Sequence, residues 1–248
     1  MIVRSLGSGS SGNSYLIQSD GTTIVIDLGF PLVEWRKRVQ NCRFAENVSA
    51  VLFTHDHCDH CEGAKAFRQA FPFVPFFAND GTADAVSVRQ GVRGEWNIFE
   101  NGMEFQIGPF VIRAFQVPHD ATDPVGYLIR ADGQTLFVGT DMGRVTPTIV
   151  RAIRVANVAI LESNHDLGLL MASKRRRELK IRISGPLGHL SNLESAELLR
   201  AAVPRNLKHL MLAHLSSECN TPELARKTAE QTLREVGLEN VSIHVLAK

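Results

Sequence analysis

The chain has 248 residues, of which 44% are hydrophobic and 21% charged, and its formal net charge is +1. This composition is ordinary for a globular protein, and the near-zero charge excludes binding of nucleic acid through a globally basic surface. Four cysteines are sparse for a disulfide framework, no run approaches the roughly 20 apolar residues of a membrane helix, and residues 1–14 lack the features of a secretory signal. We therefore expect a cytoplasmic protein that does not enter a membrane.

The first half of the chain consists mainly of short predicted strands. Apolar or β-branched runs bounded by turn residues predict strands at 2–6, 14–18, 23–28, 50–53 and 73–78. Helical spacing predicts helices at 32–42, 62–71 and 82–90, the last two ending at Pro72 and Gly91. Dipeptides that favour turns separate further predicted strands at 96–99, 103–107, 110–117, 125–130 and 135–139.

Strands and helices alternate in the second half. A helix is predicted after Thr146 and Pro147, and a strand at 158–161. Ser191 and Glu194 fit a capping box that opens a helix over 191–203. A strand at 209–213, a helix over 221–236 and a strand at 241–246 follow. This order predicts an α+β fold, a four-layer αββα sandwich, in one domain spanning residues 1–248.

One stretch, Phe-Thr-His-Asp-His-Cys-Asp-His-Cys at 53–61, is rich in side chains that bind metal ions. Its residues His55, His57, Asp59 and His60 would be costly in a core unless each had a partner. A metal ion is such a partner, since imidazole suits zinc or iron and carboxylate suits harder ions. On extended chain His55 and His57 point the same way, whereas Asp59 and His60 diverge. The stretch therefore indicates half of a two-metal site, and the alternatives are a structural single-zinc loop or a chance cluster.

Three further residues of this kind, His119, Asp141 and His214, each follow a predicted strand. Side chains at the same ends of several strands converge on one edge of a sheet. One such residue alone is more often a surface or capping group, but four strand ends of this kind together indicate a site.

The order of these residues resembles the metallo-β-lactamase superfamily, whose signature is His-x-His-x-Asp-His after a strand, followed by a spaced His, Asp and His. Within the superfamily the chain is most similar to the bacterial YycJ/WalJ branch. The supporting stretches are Gly-Ser-Gly-Ser-Ser-Gly-Asn-Ser at 7–14, Leu-Glu-Ser-Asn-His-Asp at 161–166 and Gly-His-Leu-Ser-Asn at 188–192. That branch is related to ribonuclease Z and the phosphodiesterases and is associated with exonuclease action on DNA.

This resemblance implies a binuclear metal centre. His55, His57 and His119 would bind one ion, Asp59, His60 and His214 would bind a second, and Asp141 would bridge them. Two such ions stabilise the attacking and leaving oxygens of a phosphoryl transfer and lower the pKa of a water between them to about 7. Asp59 is also expected to orient that water. Zinc is the expected ion for this ligand set, and manganese or iron would also fit.

Other residues receive roles from the same resemblance. His189 is expected to protonate the leaving alkoxide, with a hydrogen bond to its own loop as the alternative. Asp27 is expected to accept a hydrogen bond from a ligand imidazole, or else to cap a turn. Asn13 and Ser191 are predicted to contact substrate, although the Gly/Ser stretch around Asn13 also reads as a flexible turn.

Residues 174–182, Lys-Arg-Arg-Arg-Glu-Leu-Lys-Ile-Arg, contain six basic residues and one acidic residue. Arg175, Arg176 and Arg177 are predicted to contact the phosphates of a nucleic acid, and a solvated helix face is the alternative. Cys58 and Cys61 have the spacing of a redox or zinc pair, but they interleave with the metal motif, so we interpret this spacing as coincidence.

The residues therefore predict a two-metal site, and the resemblance implies a metal-dependent phosphodiesterase, a nuclease with DNA favoured over RNA as its substrate. One alternative is a hydrolase of a small phosphodiester or thioester, which needs the same metals but no groove for a strand. The other is a non-catalytic metal-binding module, which is disfavoured because structural zinc sites prefer cysteine to His and Asp ligands.

Overall fold

A computed structural model describes residues 1–40, 42 and 47–246 of the chain. Its strands form two sheets. The six-stranded sheet contains, in spatial order, β1 (Ile2–Gly7), β2 (Ser14–Ser19), β3 (Thr22–Ile26), β4 (Val48–Leu52), β5 (Phe76–Ala78) and β6 (Asn97–Ile98). The seven-stranded sheet contains, in the order of the chain, β7 (Glu104–Ile107), β8 (Phe110–Gln116), β9 (Val125–Ala131), β10 (Gln134–Gly139), β11 (Val158–Glu162), β12 (His209–Ala213) and β13 (Ser242–Val245).

The helices connect and cover these strands. They are α1 (Leu32–Val39), α2 (Cys58–Cys61), α3 (Ala64–Ala70), α4 (Asp80–Gln90), α5 (Pro147–Arg154), α6 (Leu167–Ala172), α7 (Arg177–Ile183), α8 (Asn192–Ala202) and α9 (Pro222–Glu235). Each helix within the described ranges is too short or too polar to cross a membrane.

Each sheet combines antiparallel and parallel pairing. Strands β1 to β3 pair antiparallel and β3 to β6 pair parallel, while β7 to β10 pair antiparallel and β10 to β13 pair parallel. Parallel neighbours need crossover connections, which helices supply here. The carboxyl ends of β3 and β4 therefore share one edge of their sheet, and those of β10, β11 and β12 share one edge of theirs.

Three apolar layers stabilise the structure. Side chains such as Ile24 of the first sheet and Tyr127 of the second form the layer between the sheets. Trp35 of α1 and Phe67 of α3 pack on the outer face of the first sheet, and Leu198 of α8 packs on the outer face of the second. The order helix, sheet, sheet, helix confirms the predicted four-layer αββα fold.

The predicted element boundaries differ from the structure in three main places. The predicted helix at 32–42 ends as α1 at Val39, and its residue 41 lies outside the described residues. The predicted strand at 73–78 begins only at Phe76. Helices α2 and α6 lie where no helix was predicted, and α7 lies in the basic run for which a solvated helix face was only the alternative. The predicted capping box at Ser191 is present, with Oγ accepting from the backbone N–H of Glu194.

Candidate active site

The site forms where strand ends of both sheets meet. Asp27 follows β3, Asp141 follows β10 and His214 follows β12, and all three have left-handed backbone, with φ of 62°, 57° and 55°. This conformation costs roughly 1–2 kcal/mol per residue outside glycine. It turns the chain sharply at the sheet edge, so that residues directly after buried strands enter a common site.

Three imidazoles form the first candidate ligand group. One nitrogen each from His55, His57 and His119 lie within 4.8 Å of one another. The ring centroids of His55 and His57 are 4.8 Å apart, and Nε2 of His119 lies 3.2 Å from Nδ1 of His57. The family resemblance implied that these three residues bind one ion, and the structure brings them together.

A second candidate group adjoins the first. Ligand atoms of Asp59, His60 and His214 also lie within 4.8 Å of one another. Oδ2 of Asp59 is 3.4 Å from Nε2 of His214 and 3.7 Å from Nε2 of His60. The His55 and His60 rings, one from each group, have centroids only 4.1 Å apart.

Asp141 lies between the two groups. It forms a third cluster with His55 and His60, with ligand atoms within 4.8 Å of one another. Its Oδ2 is 3.1 Å from Nε2 of His60, and its Oδ1 is 3.8 Å from Nε2 of His119 and 3.4 Å from Nδ1 of His214. A carboxylate in contact with both groups has the position of a bridging ligand.

Each candidate ligand histidine donates one ring N–H to an acceptor away from the centre, which leaves its other nitrogen free to bind a cation. The acceptor oxygens belong to buried side chains or to the backbone. They are Thr54 Oγ1 for His55, the Asp120 carbonyl for His57, Asp27 for His60, the Gly188 carbonyl for His119 and Glu162 for His214. The lone pairs of His55, His60, His119 and His214 at Nε2, and of His57 at Nδ1, are therefore directed inward.

Two buried polar atoms show that this donor set fits metal ions. Nε2 of His55 and Oδ2 of Asp141 have no hydrogen-bond partner of acceptable geometry among the described residues. Buried polar atoms are rarely left without a partner. Five imidazole nitrogens and two carboxylates are ligands that suit zinc and related divalent ions.

Close packing of imidazole and carboxylate groups shifts the pKa values of the site residues when no metal is bound. Burial opposes the charged form of His214, but Asp141, Asp59 and Glu162 outweigh it and raise its pKa to about 10. Burial likewise opposes ionisation of Asp141, yet the imidazoles of His214 and His60 hold its pKa well below its usual range. Burial and the neighbouring His60 lower the pKa of His55 well below its ordinary value. Divalent cations would replace the protons carried by the groups whose pKa is raised, such as His214.

Asp27 is connected by hydrogen bonds to one histidine of each ligand group, on the side of the rings that faces away from the centre. Its Oδ2 accepts from Nδ1 of His60 at 2.7 Å and from Oγ1 of Thr54 at 2.7 Å, and its Oδ1 accepts from the Thr54 backbone N–H at 2.8 Å. Thr54 in turn accepts from His55. One buried carboxylate is thus hydrogen-bonded to a ring of the second group directly and to a ring of the first group through Thr54.

Glu162 and His189 form a pair beside the ligand groups. Oε1 of Glu162 accepts from Nδ1 of His189 at 2.9 Å and from Nδ1 of His214 at 3.1 Å. Its Oε2 accepts from the backbone N–H groups of Met142 and Leu190. Burial alone raises the pKa of Glu162, but the charge and hydrogen bonds of His189 and His214 lower it to about 2. The His189 side chain is 21% exposed, so its ring lies at the open face of the site.

Glu162 was not among the predicted site residues. It is the last residue of β11 and is fully buried. The rule that selected His119, Asp141 and His214, a ligand-type residue ending an apolar strand, applies equally to Glu162. The signal was therefore present in the sequence.

Three residues that were predicted to contact substrate are buried or already paired within the protein. Asn13 is fully buried, and its Nδ2 lies 3.0 Å from Nε2 of His60 and 3.4 Å from Oδ2 of Asp59, which suits orientation of those residues better than contact with substrate. Ser191 is only 6% exposed, and its hydroxyl donates to the carboxylate of Glu194 in the capping box. Arg175 donates to Glu218 at 2.9 Å.

Arg176 and Arg177 are exposed at the start of α7, which leaves their predicted contact with phosphates possible sterically. Cys58 is exposed and Cys61 is buried, and both are free thiols.

Comparison with known proteins places this geometry in a family. The model of the β-lactamase superfamily domain matches residues 22–214. The chain is 31% identical over 235 residues to exodeoxyribonuclease YycJ of Bacillus anthracis, covering 94% of this chain and 89% of the relative. It is also 31% identical over 238 residues to exodeoxyribonuclease WalJ of Streptococcus pneumoniae, covering 94% and 88%.

The chain belongs to the metallo-β-lactamase superfamily. Solved structures agree on the fold: YhfI of Bacillus subtilis, a metallo-β-lactamase fold protein, superimposes with a TM-score of 0.75 at 18% identity, covering 99% of this chain and 96% of that one. Human tRNase Z, short form, gives a TM-score of 0.65 at 16% identity, covering 88% and 93%. The protein is thus a metal-dependent hydrolase whose His and Asp clusters fit divalent ions.

Proposed function

We propose that this protein is a binuclear metal-dependent phosphodiesterase that degrades DNA as an exonuclease. The observation that carries the proposal is the adjacency of two ligand groups, bridged by Asp141, to a histidine whose ring is partly exposed. The exodeoxyribonuclease relatives supply the substrate class.

The proposed ligands form two sets, one for each metal ion. His55, His57 and His119 would bind one, Asp59, His60 and His214 the other, and Asp141 both. Zinc fits this set, and manganese and iron also do. When bound, two such ions supply an activated water and stabilise the charge on the attacking and leaving oxygens.

The chain's own residues supply orientation and a proton. Asp59 is 24% exposed at the side chain, which lets it accept a hydrogen bond from a water at the open face. His189 donates through Nδ1 to Glu162, so Nε2 is the nitrogen available to protonate the 3′ or 5′ oxygen that leaves. An alkoxide is a poor leaving group without such a donor. We therefore assign Asp59 and His189 as the catalytic residues and Glu162 as the residue that positions His189.

The test uses purified, metal-analysed protein. It is incubated with end-labelled single- and double-stranded DNA, with RNA of the same sequence, and with bis(p-nitrophenyl) phosphate. Shortening of labelled DNA one nucleotide at a time, abolished by a chelator and restored by zinc or manganese, supports the proposal. Preference for RNA would change the substrate class, and cleavage of the aryl diester alone would favour a small-phosphodiester hydrolase. No hydrolysis by fully loaded protein would contradict the proposal.

A further inference from the structure

The segment from α6 to the start of α8, residues 167–193, has an exposed surface that we call the basic–apolar arm. The large apolar side chains that are exposed within the described ranges number thirteen, and six belong to this segment: Leu167, Met171, Leu179, Ile181, Leu187 and Leu193. The same segment contains the basic run 174–182. Isolated exposed apolar residues need no explanation, but such a concentration indicates a binding surface.

Arg182 joins this arm to the catalytic centre. Its Nε donates to Oδ2 of Asp120 at 2.5 Å. The other oxygen of Asp120 lies 3.5 Å from Nε2 of His119 and 3.9 Å from Nε2 of His57. The Arg182 side chain is 59% exposed, and no residue of the described ranges accepts a hydrogen bond from its two terminal nitrogens. The guanidinium is therefore anchored by one edge beside two candidate metal ligands, with its other edge open.

The backbone around Arg182 also contacts the His189 loop. A Cβ on Gly188 would lie 2.2 Å from the carbonyl oxygen of Arg182, so only glycine allows this approach. The backbone N–H of His189 donates to the carbonyl of Ile183 at 2.9 Å. Arg182 thus contacts both the neighbourhood of the first ligand group, through Asp120, and the loop that carries His189, the two places that a cleaved phosphodiester must reach.

We propose that the basic–apolar arm binds the unpaired strand of a nucleic acid, with Arg182 binding a phosphate adjacent to the one that is cleaved. This inference rests on the proposed phosphodiesterase function. A guanidinium offers paired N–H groups that match phosphate oxygens. Arg177 and Ile181 are four residues apart on α7 and share a face. Basic and apolar side chains together complement an unpaired strand, which exposes both phosphates and base faces, whereas a duplex hides the base faces.

The charge of the arm argues against a second copy of the chain as its occupant. An isologous contact would bring the six basic residues of the 174–182 run against their own copies. Like charges across an interface are costly. An anionic membrane would satisfy the basic and apolar character of the arm, but it gives no reason for Arg182 to lie beside His57 and His119.

The test measures binding of metal-loaded protein to fluorescein-labelled oligothymidylate with phosphorothioate linkages, by fluorescence anisotropy over a series of salt concentrations. Arg182→Ala is compared with Arg205→Ala, and Ile181→Ser with Val155→Ser. The two control residues are exposed and precede β12 and β11, at the sheet edge opposite the site.

Arg182→Ala should weaken binding about tenfold and flatten the slope of log affinity against log salt by about 0.7, since one phosphate contact is lost. Arg182→Lys should recover part of the affinity. Ile181→Ser should weaken binding of the single strand about fivefold while leaving a matched duplex within twofold, because only the single strand offers base faces. The control variants should match the wild type.

Three results would overturn the inference. The first is an Arg182→Ala variant that binds the oligonucleotide as tightly as Arg205→Ala does, or an Ile181→Ser variant that binds it as tightly as Val155→Ser does. The second is binding of phosphatidylglycerol vesicles that depends on Ile181 while oligonucleotide binding does not. The third is self-association, seen by light scattering, that Ile181→Ser abolishes. Wild-type protein that cleaves DNA while the variants bind normally would leave the proposed function intact, whereas wild-type protein inert on all nucleic acids would refute the function itself.

Discussion

Replacing Glu162 by glutamine tests whether the Glu162–His189 pair works in proton donation. The carboxylate accepts four hydrogen bonds, two from imidazole nitrogens on Oε1 and two from backbone N–H groups on Oε2. A glutamine has one acceptor oxygen, and its NH₂ group can only donate. If the oxygen stays with the backbone, the NH₂ group faces Nδ1 of His189 and His214 and the orientation of His189 is lost.

The magnitude follows from the bond that is lost. A hydrogen bond to a charged group contributes about 1.5–3 kcal/mol, and each 1.36 kcal/mol in the barrier changes the rate tenfold. Glu162→Gln should therefore lower kcat on DNA by about 10- to 100-fold. The effect on bis(p-nitrophenyl) phosphate should be much smaller, since nitrophenolate leaves without a proton donor.

A double-mutant cycle supplies the control. If Glu162 acts through His189, the double variant Glu162→Gln/His189→Ala should be no slower than His189→Ala by more than about twofold. Metal content is measured for each variant, because Glu162 also contacts His214. Additive effects of the two changes, equal losses on both substrates, or loss of metal in proportion to loss of rate would refute the proposed pairing.

Three further predictions concern the framework of the site. Asp27→Asn should lower metal affinity by about 10- to 100-fold in competition with a chelator, because the carboxylate that orients His60 loses its charge. Gly29→Ala should reduce both bound metal and the melting temperature, since its Cβ would lie 1.8 Å from the backbone oxygen of Asp59. In metal-free protein the pKa of His214 rises from 6.5 to about 10, so its contribution to the free energy of unfolding is complete below pH 6.5 and is lost as the pH rises through about 10. Urea denaturation between these pH values should show falling stability, and a flat profile would contradict the proposed charge pairing.

Local patterns in the sequence predicted most of the fold. Turn dipeptides and β-branched runs located the strands of both sheets, because these signals act over a few residues. Helix α2 was missed because it has only four residues and lies inside the metal motif, where histidine spacing was interpreted as extended chain. Helix α6 was missed, and α7 was considered only as an alternative, because their apolar residues are largely exposed and no core-facing periodicity marks them.

The clustering of the candidate ligands was predicted, but the side chains around them were predicted less well. His55, His57 and His119, and separately Asp59, His60 and His214, lie together because strand ends of the two sheets meet at the site. Contacts of buried side chains such as Asn13 depend on close approach of distant segments, for which the sequence has no local signal. The resemblance placed Asn13 at the substrate, whereas the structure buries it against Asp59 and His60.

Metal binding and the fold of the metal-free protein depend on pH in opposite directions, because the same groups serve both. Without metal, His214 and His60 carry protons that stabilise the buried carboxylates around them, and raising the pH removes this stabilisation. Metal ions require both imidazoles in the neutral form, so their affinity rises over the same range. Asp141, which contacts both His60 and His214, would therefore exchange imidazolium partners for metal ions as the pH rises.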